Sequence, residues 1–367
     1  MNNIAQGQCS EPTAEEQWRQ FGELTCQKDY VDSLRGRNLD VYLLGERIDE
    51  PVDHPIVRPS INAMAASYQL AEDEPDLATA WSSITERRIN RFLHIPESPQ
   101  DLVQKNKMQR RMGQLTGTCF QRCAGLDTLS VLFSITFDID KKHGTAYHER
   151  YLAFLKKAQA RNLIVGAGMT DPKGDRSKRP SDQSDPDLFM HVTRRTDKGL
   201  YVKGAKAHMT GGLNSHWICV MPTMNMLESD KDYAVIGMIP ATAPGLTYIY
   251  GRQSCDTRAL EVGDIDKGNA QYGGQETLVI FDDVFIPWAH VLMDGEYEFA
   301  QELVSRFTAY HRASYVCKTG LGDVMIGAAS SVAEMNGAET ASHVRDKLVE
   351  MTHLNETIYS SGIASSY

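Results

Sequence analysis

Cysteine is scarce in this chain, and no stretch of it is apolar enough to enter a membrane. Its 367 residues carry only seven cysteines, Cys9, Cys26, Cys119, Cys123, Cys219, Cys255 and Cys317. An odd, unevenly spaced set does not make a disulfide framework; it fits a reducing compartment, where thiols stay free or bind metal. No run of about 18 apolar residues occurs, and the opening MNNIAQGQCSEPTAEEQWRQ lacks the basic-then-apolar layout of a signal peptide. These absences predict a cytoplasmic protein with no membrane partner. Positive charge is also short, with 38 Lys and Arg against 48 Asp and Glu, which argues against a general nucleic-acid surface. There is no internal repeat and no low-complexity tract. Nor is VGAGMTD a dinucleotide fingerprint, because Asp171 stands where the third glycine belongs.

What remains is ordinary globular composition, 41% hydrophobic and 23% charged, with a clear change of texture along the chain. Residues 1–29 are polar and predict a loose tail. Residues 30–168 read as helices. In SINAMAASYQLAED a serine cap, Ser60, precedes Ile61, Met64, Ala65 and Tyr68 on one face. Residues 169–296 carry Gly and Pro punctuation between short β-type runs such as LYVKGAKAHMT and TLVIFDDVFIP. From residue 297 helical spacing returns, and the pattern stops at Tyr367 without a cap, which predicts a chain cut within a C-terminal helical domain. The predicted class is α+β, helices on either side of a compact β domain.

Several stretches carry chemistry. TCFQRCAG holds Cys119 and Cys123 four residues apart. On a helix turning about 100° per residue they point about 40° apart, within reach of one metal; two free buried thiols are the plainer reading. YHRASYVCK adds His311 and Cys317, completing a three-thiol, one-imidazole set suited to zinc or an iron–sulfur cluster. In MTDPKGDR, Lys173 and Arg176 flank Gly174 at the helix-to-strand junction, fitting phosphate or the polar edge of a flavin, or else a charged surface turn. KAHMTGGLNSH gathers His208, Thr210, Asn214 and His216, and strand alternation puts His208 and Thr210 on one face. No carboxylate accompanies these histidines at metal spacing. Glu276, before the apolar strand of GGQETLVIF, is a solvated strand entry or an acid–base group.

VDHPIVRPSIN, KMQRRMGQLTGTCFQRCAG, MTDPKGDR, GAKAHMTG, IYGRQSCDTR, GGQETLVIFDDVFIP, YHRASYVCK and DKLVEMTHLNETIY run in one order along the chain. Together they resemble the 4-hydroxybutyryl-CoA dehydratase and vinylacetyl-CoA delta-isomerase family of the 4-hydroxyphenylacetate 3-hydroxylase superfamily. The resemblance implies an acyl-CoA-dehydrogenase-like fold with N-terminal helices, a middle β-barrel and a C-terminal bundle that builds a homotetramer. It implies FAD, a [4Fe–4S] cluster and a CoA-thioester substrate, converted by radical dehydration. Carried over by position, Cys119, Cys123, His311 and Cys317 match the cluster ligands. Met169, Thr170, Asp171, Pro172, Lys173, Gly174, Asp175 and Arg176, with His208, Met209 and Thr210, match the flavin-holding segments. Arg110, Gln121, Thr210, Glu276, Tyr315 and Lys318 match polar active-site positions; His311 is a ligand and base, Tyr315 and Lys318 are proton donors, and Glu276 is an acid–base or orienting group. One departure stands out: His311 and Cys317 are one residue closer than the family pattern, and on a regular helix i and i+6 differ by about 120°. Two alternatives stay open: an aromatic hydroxylase of the same superfamily using reduced FAD and oxygen, and a truncated non-catalytic subunit.

Overall fold

The computed structural model describes residues 11–251 and 269–367. The chain opens with α1 (Ala14–Arg19) and α2 (Gln27–Ser33), then a short hairpin, β1 (Asp40–Leu43) and β2 (Glu46–Ile48). Helices α3 (Arg58–Asp73) and α4 (Pro75–Ala78) lead to a second hairpin, β3 (Thr79–Ser82) and β4 (Arg87–Asn90). Helices α5 (Pro99–Thr116), α6 (Cys123–His143) and α7 (Tyr147–Arg161) complete the first half. The strands β5 (Val165–Gly168), β6 (His191–Arg195), β7 (Gly199–Thr210), β8 (Trp217–Val220), β9 (Val235–Pro240), β10 (Leu246–Tyr250), β11 (Glu276–Pro287) and β12 (Val291–Asp294) come next. Last are α8 (Ala300–Ser314), α9 (Cys317–Met335) and α10 (Ser342–Ala364). Helix, sheet and helix regions thus succeed one another as the texture predicts, in an α+β fold.

Apart from the β3-β4 hairpin, the described strands form two sheets, β2-β1-β10-β11-β7-β6 and β12-β9-β8-β5. Their facing residues, among them Val202, Ile218, Val220, Ile239, Val279, Phe281 and Ile286, are fully buried. The N-terminal region contributes to the larger sheet, since β1 pairs in parallel with β10. Strands β1 and β2 are too short and too charged for their alternation to stand out from the helices around them.

Residues 11–29 depart from the loose tail predicted there. Thr13 and Glu16 form a reciprocal capping box on α1. Trp18 is buried against Trp217, 4.6 Å between ring centroids, and its indole N–H donates to His290 Nε2 at 3.1 Å. An indole of that size buries enough apolar area to hold its own segment down. Helix α3 also begins earlier than predicted: Val57 is its N-cap, Pro59 sits in the first turn, and Ser60 Oγ donates to the Val57 carbonyl. Its predicted inner face, Ile61, Met64, Ala65 and Tyr68, is buried.

Two close approaches set the helices that carry Cys123 and Cys317. A Cβ on Gly125 of α6 would fall 1.8 Å from the Val165 carbonyl oxygen, so only glycine lets α6 lie on the end of β5. Where α5 crosses α9, a Cβ on Gly320 would stand 1.9 Å from the Arg110 carbonyl oxygen.

Candidate functional site

The two thiols of TCFQRCAG do not share a helix. Helix α5 ends at Gly117, left-handed at φ 59°, and Cys119 lies in the loop beyond it; Cys123 opens α6. The loop is held by Gln121, itself at φ 65°, whose amide donates to the Ser60 carbonyl (2.9 Å) and the Gly273 carbonyl (3.1 Å) and accepts from Asn214 Nδ2 (3.0 Å). Arg122 is buried beside it, donating to Ser67 Oγ at 2.8 Å with its guanidinium over the Phe92 and Tyr68 rings. The sequence resemblance makes Gln121 an active-site group. With both amide hydrogens and its oxygen bonded to protein, it instead anchors the Cys119–Cys123 loop.

A second helix break resolves the spacing of His311 and Cys317. Helix α8 stops at Ser314, Tyr315 and Val316 form a turn, and Cys317 is the first residue of α9. The angle counted for one regular helix therefore does not apply. Cys119, Cys123 and Cys317 come together electrostatically. Burial pushes the Cys123 thiol far above its ordinary range, and Cys119, Cys317 and Asp127 push it further. Burial likewise raises Cys317 to about 12, with Cys119 adding to the rise. Cys119, part of whose surface meets solvent, is raised chiefly by the protein around it; Glu276 adds to this and Lys318 opposes it. All five described cysteines are free, whereas Cys9 and Cys255 lie outside the described residues. Among the described residues no three His, Cys, Asp or Glu side chains stand close enough to grip a single metal ion.

Asp127 joins His311 to this group. It sits one turn after Cys123 on α6, fully buried; its Oδ2 is 2.9 Å from His311 Nδ1 and its Oδ1 is 2.7 Å from Lys105 Nζ. Burial alone would raise this carboxyl, but Lys105 and His311 outweigh it and hold the pKa below the ordinary value. An ionised Asp127 accepts a proton-bearing Nδ1, which leaves Nε2 as the lone-pair nitrogen of His311. Phe307 stacks on the imidazole at 5.1 Å, Tyr315 meets its edge at 5.2 Å, and Lys318 Nζ lies 4.7 Å over the Tyr315 ring. Sequence reasoning missed Asp127 and Lys105. The available signal was an acid inside the otherwise apolar run AGLDTLSVLF.

Glu276 faces the group from the sheet. It pairs with Thr210 across β11 and β7, and Thr210 Oγ1 donates to its Oε1 at 2.7 Å. Its Oε2 is buried without a hydrogen-bond partner, and burial raises its pKa despite the Thr210 bond. A desolvated carboxyl with one free oxygen holds a proton more readily than an ordinary glutamate. Just before Thr210 the pairing of β7 slips between Lys206 and Met209 in a bulge, and His208 takes φ 50° and faces solvent while Met209 is buried. His216 is fully buried and accepts from the Ile164 N–H at 3.0 Å.

The remaining sequence candidates divide. Arg110 is not available for substrate: it makes two 2.8 Å bonds to Asp323, contacts Glu356, and lies over the Tyr359 ring, tying α5 to α9 and α10. In the MTDPKGDR loop, Asp171 bonds Lys206 and Thr223, Gly174 lies against the side-chain ends of Leu188 and Gln183, and Asp175 caps Ser177. Lys173 and Arg176 are exposed and make no ion pair among the described residues. Two unpaired cations on a braced loop fit an anionic group such as a flavin's diphosphate.

Comparison with known proteins identifies the family. Residues 26–293 match the family described as 4-hydroxyphenylacetate 3-hydroxylase N terminal, and residues 300–367 match its C-terminal counterpart. A 4-hydroxybutyryl-CoA dehydratase/vinylacetyl-CoA-Delta-isomerase of Clostridium aminobutyricum is 54% identical over 343 residues, 92% of this chain and 70% of the relative. The solved structure of an oxygen-tolerant archaeal 4-hydroxybutyryl-CoA dehydratase from N. maritimus is 64% identical, with TM-score 0.91 over 93% of this chain and 68% of that one. The oxygenase component of 4-hydroxyphenylacetate 3-monooxygenase, solved with FAD, shares the fold at TM-score 0.77 with 22% identity, over 92% of this chain and 70% of that one. The chain therefore belongs to the 4-hydroxybutyryl-CoA dehydratase/vinylacetyl-CoA-Delta-isomerase family, enzymes of the lyase and isomerase classes, within the 4-hydroxyphenylacetate 3-hydroxylase superfamily.

Proposed function

We propose that this protein dehydrates 4-hydroxybutyryl-CoA to crotonyl-CoA and isomerises vinylacetyl-CoA, using FAD and a [4Fe–4S] cluster. The observation that carries this reading is that Cys123 and Cys317, each raised further by Cys119, share the buried neighbour Asp127 with the imidazole of His311. That donor set fits an iron–sulfur cluster, whose cube spreads its ligands wider than a single ion does. Cys119, Cys123, Cys317 and His311 Nε2 would hold the cluster, and Lys173 and Arg176 would hold the flavin's phosphates. Bound flavin supplies one-electron chemistry, and an iron with an incomplete thiolate set supplies a Lewis acid for a leaving hydroxyl.

The reaction needs such help because the hydroxyl is on C4, while the C3 hydrogen is not acidified by the thioester. General acid–base catalysis alone lowers a barrier by about 10²–10⁴-fold. The chain's own residues manage protons. Glu276 Oε2, unbonded and desolvated, takes or returns a proton at the substrate carbons, and Thr210 keeps its other oxygen in place. Tyr315 and Lys318, beside His311, supply protons to the departing oxygen. Homo-oligomeric assembly belongs to the same reading; it is supported by exposed Met325, Val332, Met335, Val349, Leu354 and Ile358 on α9 and α10.

The test is purification without oxygen, with assays for iron, sulfide, FAD and conversion of 4-hydroxybutyryl-CoA. Iron and sulfide together with crotonyl-CoA formation support the reading. An iron-free flavoprotein that hydroxylates a phenol with reduced FAD and oxygen replaces it with the hydroxylase alternative.

A further inference from the structure

Beneath the two exposed cations of the MTDPKGDR loop lies a buried charge that no motif predicts. Lys206, on β7, is 2% exposed. Its ammonium donates to the Met169 carbonyl (3.0 Å), the Met221 carbonyl (2.9 Å) and Asp171 Oδ1 (2.6 Å). Asp171 Oδ2 accepts a further bond from Thr223 Oγ1 at 3.1 Å. Met169 and Met221 come directly after the parallel strands β5 and β8, where the Met221 N–H bonds the Gly168 carbonyl at 3.1 Å. One step along β7, the Ala207 N–H donates to the Thr170 carbonyl at 2.7 Å. Three hydrogens of one ammonium thus tie the start of the loop to two strand ends and to a carboxylate inside the loop.

An ammonium without a partner is costly to bury, and an ion pair replaced by apolar groups often leaves stability unchanged or improved. The pair is therefore poorly explained by stability alone. Its geometry explains it better, because it fixes the backbone from Met169 to Asp171 two residues before Lys173. We propose that Lys206, with Asp171, is a positioning residue for flavin binding: it holds the loop in the shape that presents Lys173 and Arg176 to the flavin's diphosphate. This rests on the proposed role of the loop in binding FAD. The same strand carries Thr210, the partner of Glu276, so the brace also fixes the flavin loop relative to the acid–base carboxyl.

The experiment titrates FAD into flavin-stripped protein and monitors flavin fluorescence, well below the melting temperature of every variant. Lys206→Met/Asp171→Asn removes both buried charges together, so neither is left unpaired. It is expected to raise the Kd for FAD by about tenfold or more, with the bound-flavin spectrum restored at saturating FAD. A general loss of stability would lower the melting temperature without this saturable recovery. Lys173→Ala/Arg176→Ala is run beside it. If that surface variant loses affinity while the brace variant binds FAD as the parent does, the positioning role is overturned and the flavin reading stands. If the surface variant keeps full affinity, the loop does not hold FAD through these cations, and the proposal falls with that reading. Should the brace variant fail to fold, Thr223→Val removes one bond to Asp171 and is expected to shift the Kd in the same direction by a smaller factor; an unchanged Kd overturns the proposal.

Discussion

At the scale of single residues, the site depends on groups whose environments push them away from their ordinary chemistry. As a proposed cluster ligand His311 needs its lone pair on Nε2, and Asp127 favours that by accepting from Nδ1 while Lys105 balances its charge. Asp127→Asn keeps the volume but loses the charge, and its amide can face Nδ1 as donor or acceptor. Loss of such a partner behind a ligating histidine costs about 10–100-fold in metal affinity or activity. The expected result is iron content and charge-transfer absorbance falling together in the variant, measured below a melting temperature that the unpaired Lys105 lowers, where the circular dichroism of the fold is retained. Full iron with an unchanged spectrum would show that Asp127 does not orient the imidazole. Glu276 gives a second prediction, in which stability and activity move in opposite directions. Its pKa in the folded protein is raised by burial. The folded state therefore binds a proton more readily than the unfolded chain, and stability is lost as pH rises through the folded pKa. Glu276→Gln removes that cost and still accepts the Thr210 bond. It should unfold at higher urea concentration than the parent at pH 8, with little difference at pH 4, while turnover drops about 10²–10⁴-fold. A variant less stable than the parent at pH 8 would mean the carboxylate is better solvated than its buried Oε2 indicates.

At the scale of elements, two interruptions and one crossing bring the thiols together. The helices and middle strands were legible because their apolar periods are long and regular; α3, α5, α6, α7, β7 and β11 all obey them. The interruptions were harder to read. Gly117 in LTGTC is a legible C-cap signal, but Gln121 is held at its left-handed φ by the Ser60 and Gly273 carbonyls, which accept from its amide, and by Asn214, which donates to it, and those partners are distant in sequence. The turn at Tyr315 and Val316 carries neither glycine nor proline. Residue types at the site were thus readable while their roles were not: Gln121 and Arg110 look catalytic in sequence yet are saturated by protein, Asp127 stands out only as an acid in an apolar run, and Lys105 and Lys206 declare themselves only through tertiary contacts. The crossing of α5 and α9 is open to test. A Cβ at Gly320 would meet the Arg110 carbonyl, which is backbone and cannot rotate away, so Gly320→Ala must push the helices apart. Overpacking of this kind costs about 1–3 kcal/mol, and Cys317 is on the same turn of α9. Lower stability to urea together with partial loss of iron is the expected pair of results. Unchanged values for both would mean that the helices separate freely at this point.

At the scale of the whole molecule, the N-terminal segment, the smaller sheet and the helices around them are locked by imidazoles that must stay neutral. His290 accepts from the Trp18 indole at Nε2 and lies 2.8 Å from Gln17 Oε1 at Nδ1, joining α1 to the chain just before β12. Burial lowers its pKa from the ordinary 6.5 to about 3, helped by Lys157. His216, whose ring accepts from Ile164 and lies 2.9 Å from Ser33 Oγ, is also lowered, first by burial and then by Arg37 and Arg122. Well above pH 6.5 these residues are neutral whether the chain is folded or not, and they add no pH dependence. As pH falls below 6.5 the unfolded chain takes up protons that the folded protein refuses. Stability then decreases steadily until the pH approaches the folded pKa, near 3 for His290. For His290 alone the loss between about pH 7.5 and about pH 5 is about 2 kcal/mol. His290→Gln cannot titrate, so although it is less stable at about pH 7.5, its stability should fall by about 2 kcal/mol less than the parent's over that interval. Urea unfolding at the two pH values measures this directly, because carboxylates elsewhere titrate equally in both proteins and cancel in the comparison. An identical pH dependence in parent and variant would mean that His290 is protonated in the folded state at the lower pH. The Trp18 indole would then lose its acceptor, and α1 would have to be held by the packing of Trp18 on Trp217 and Phe154 alone.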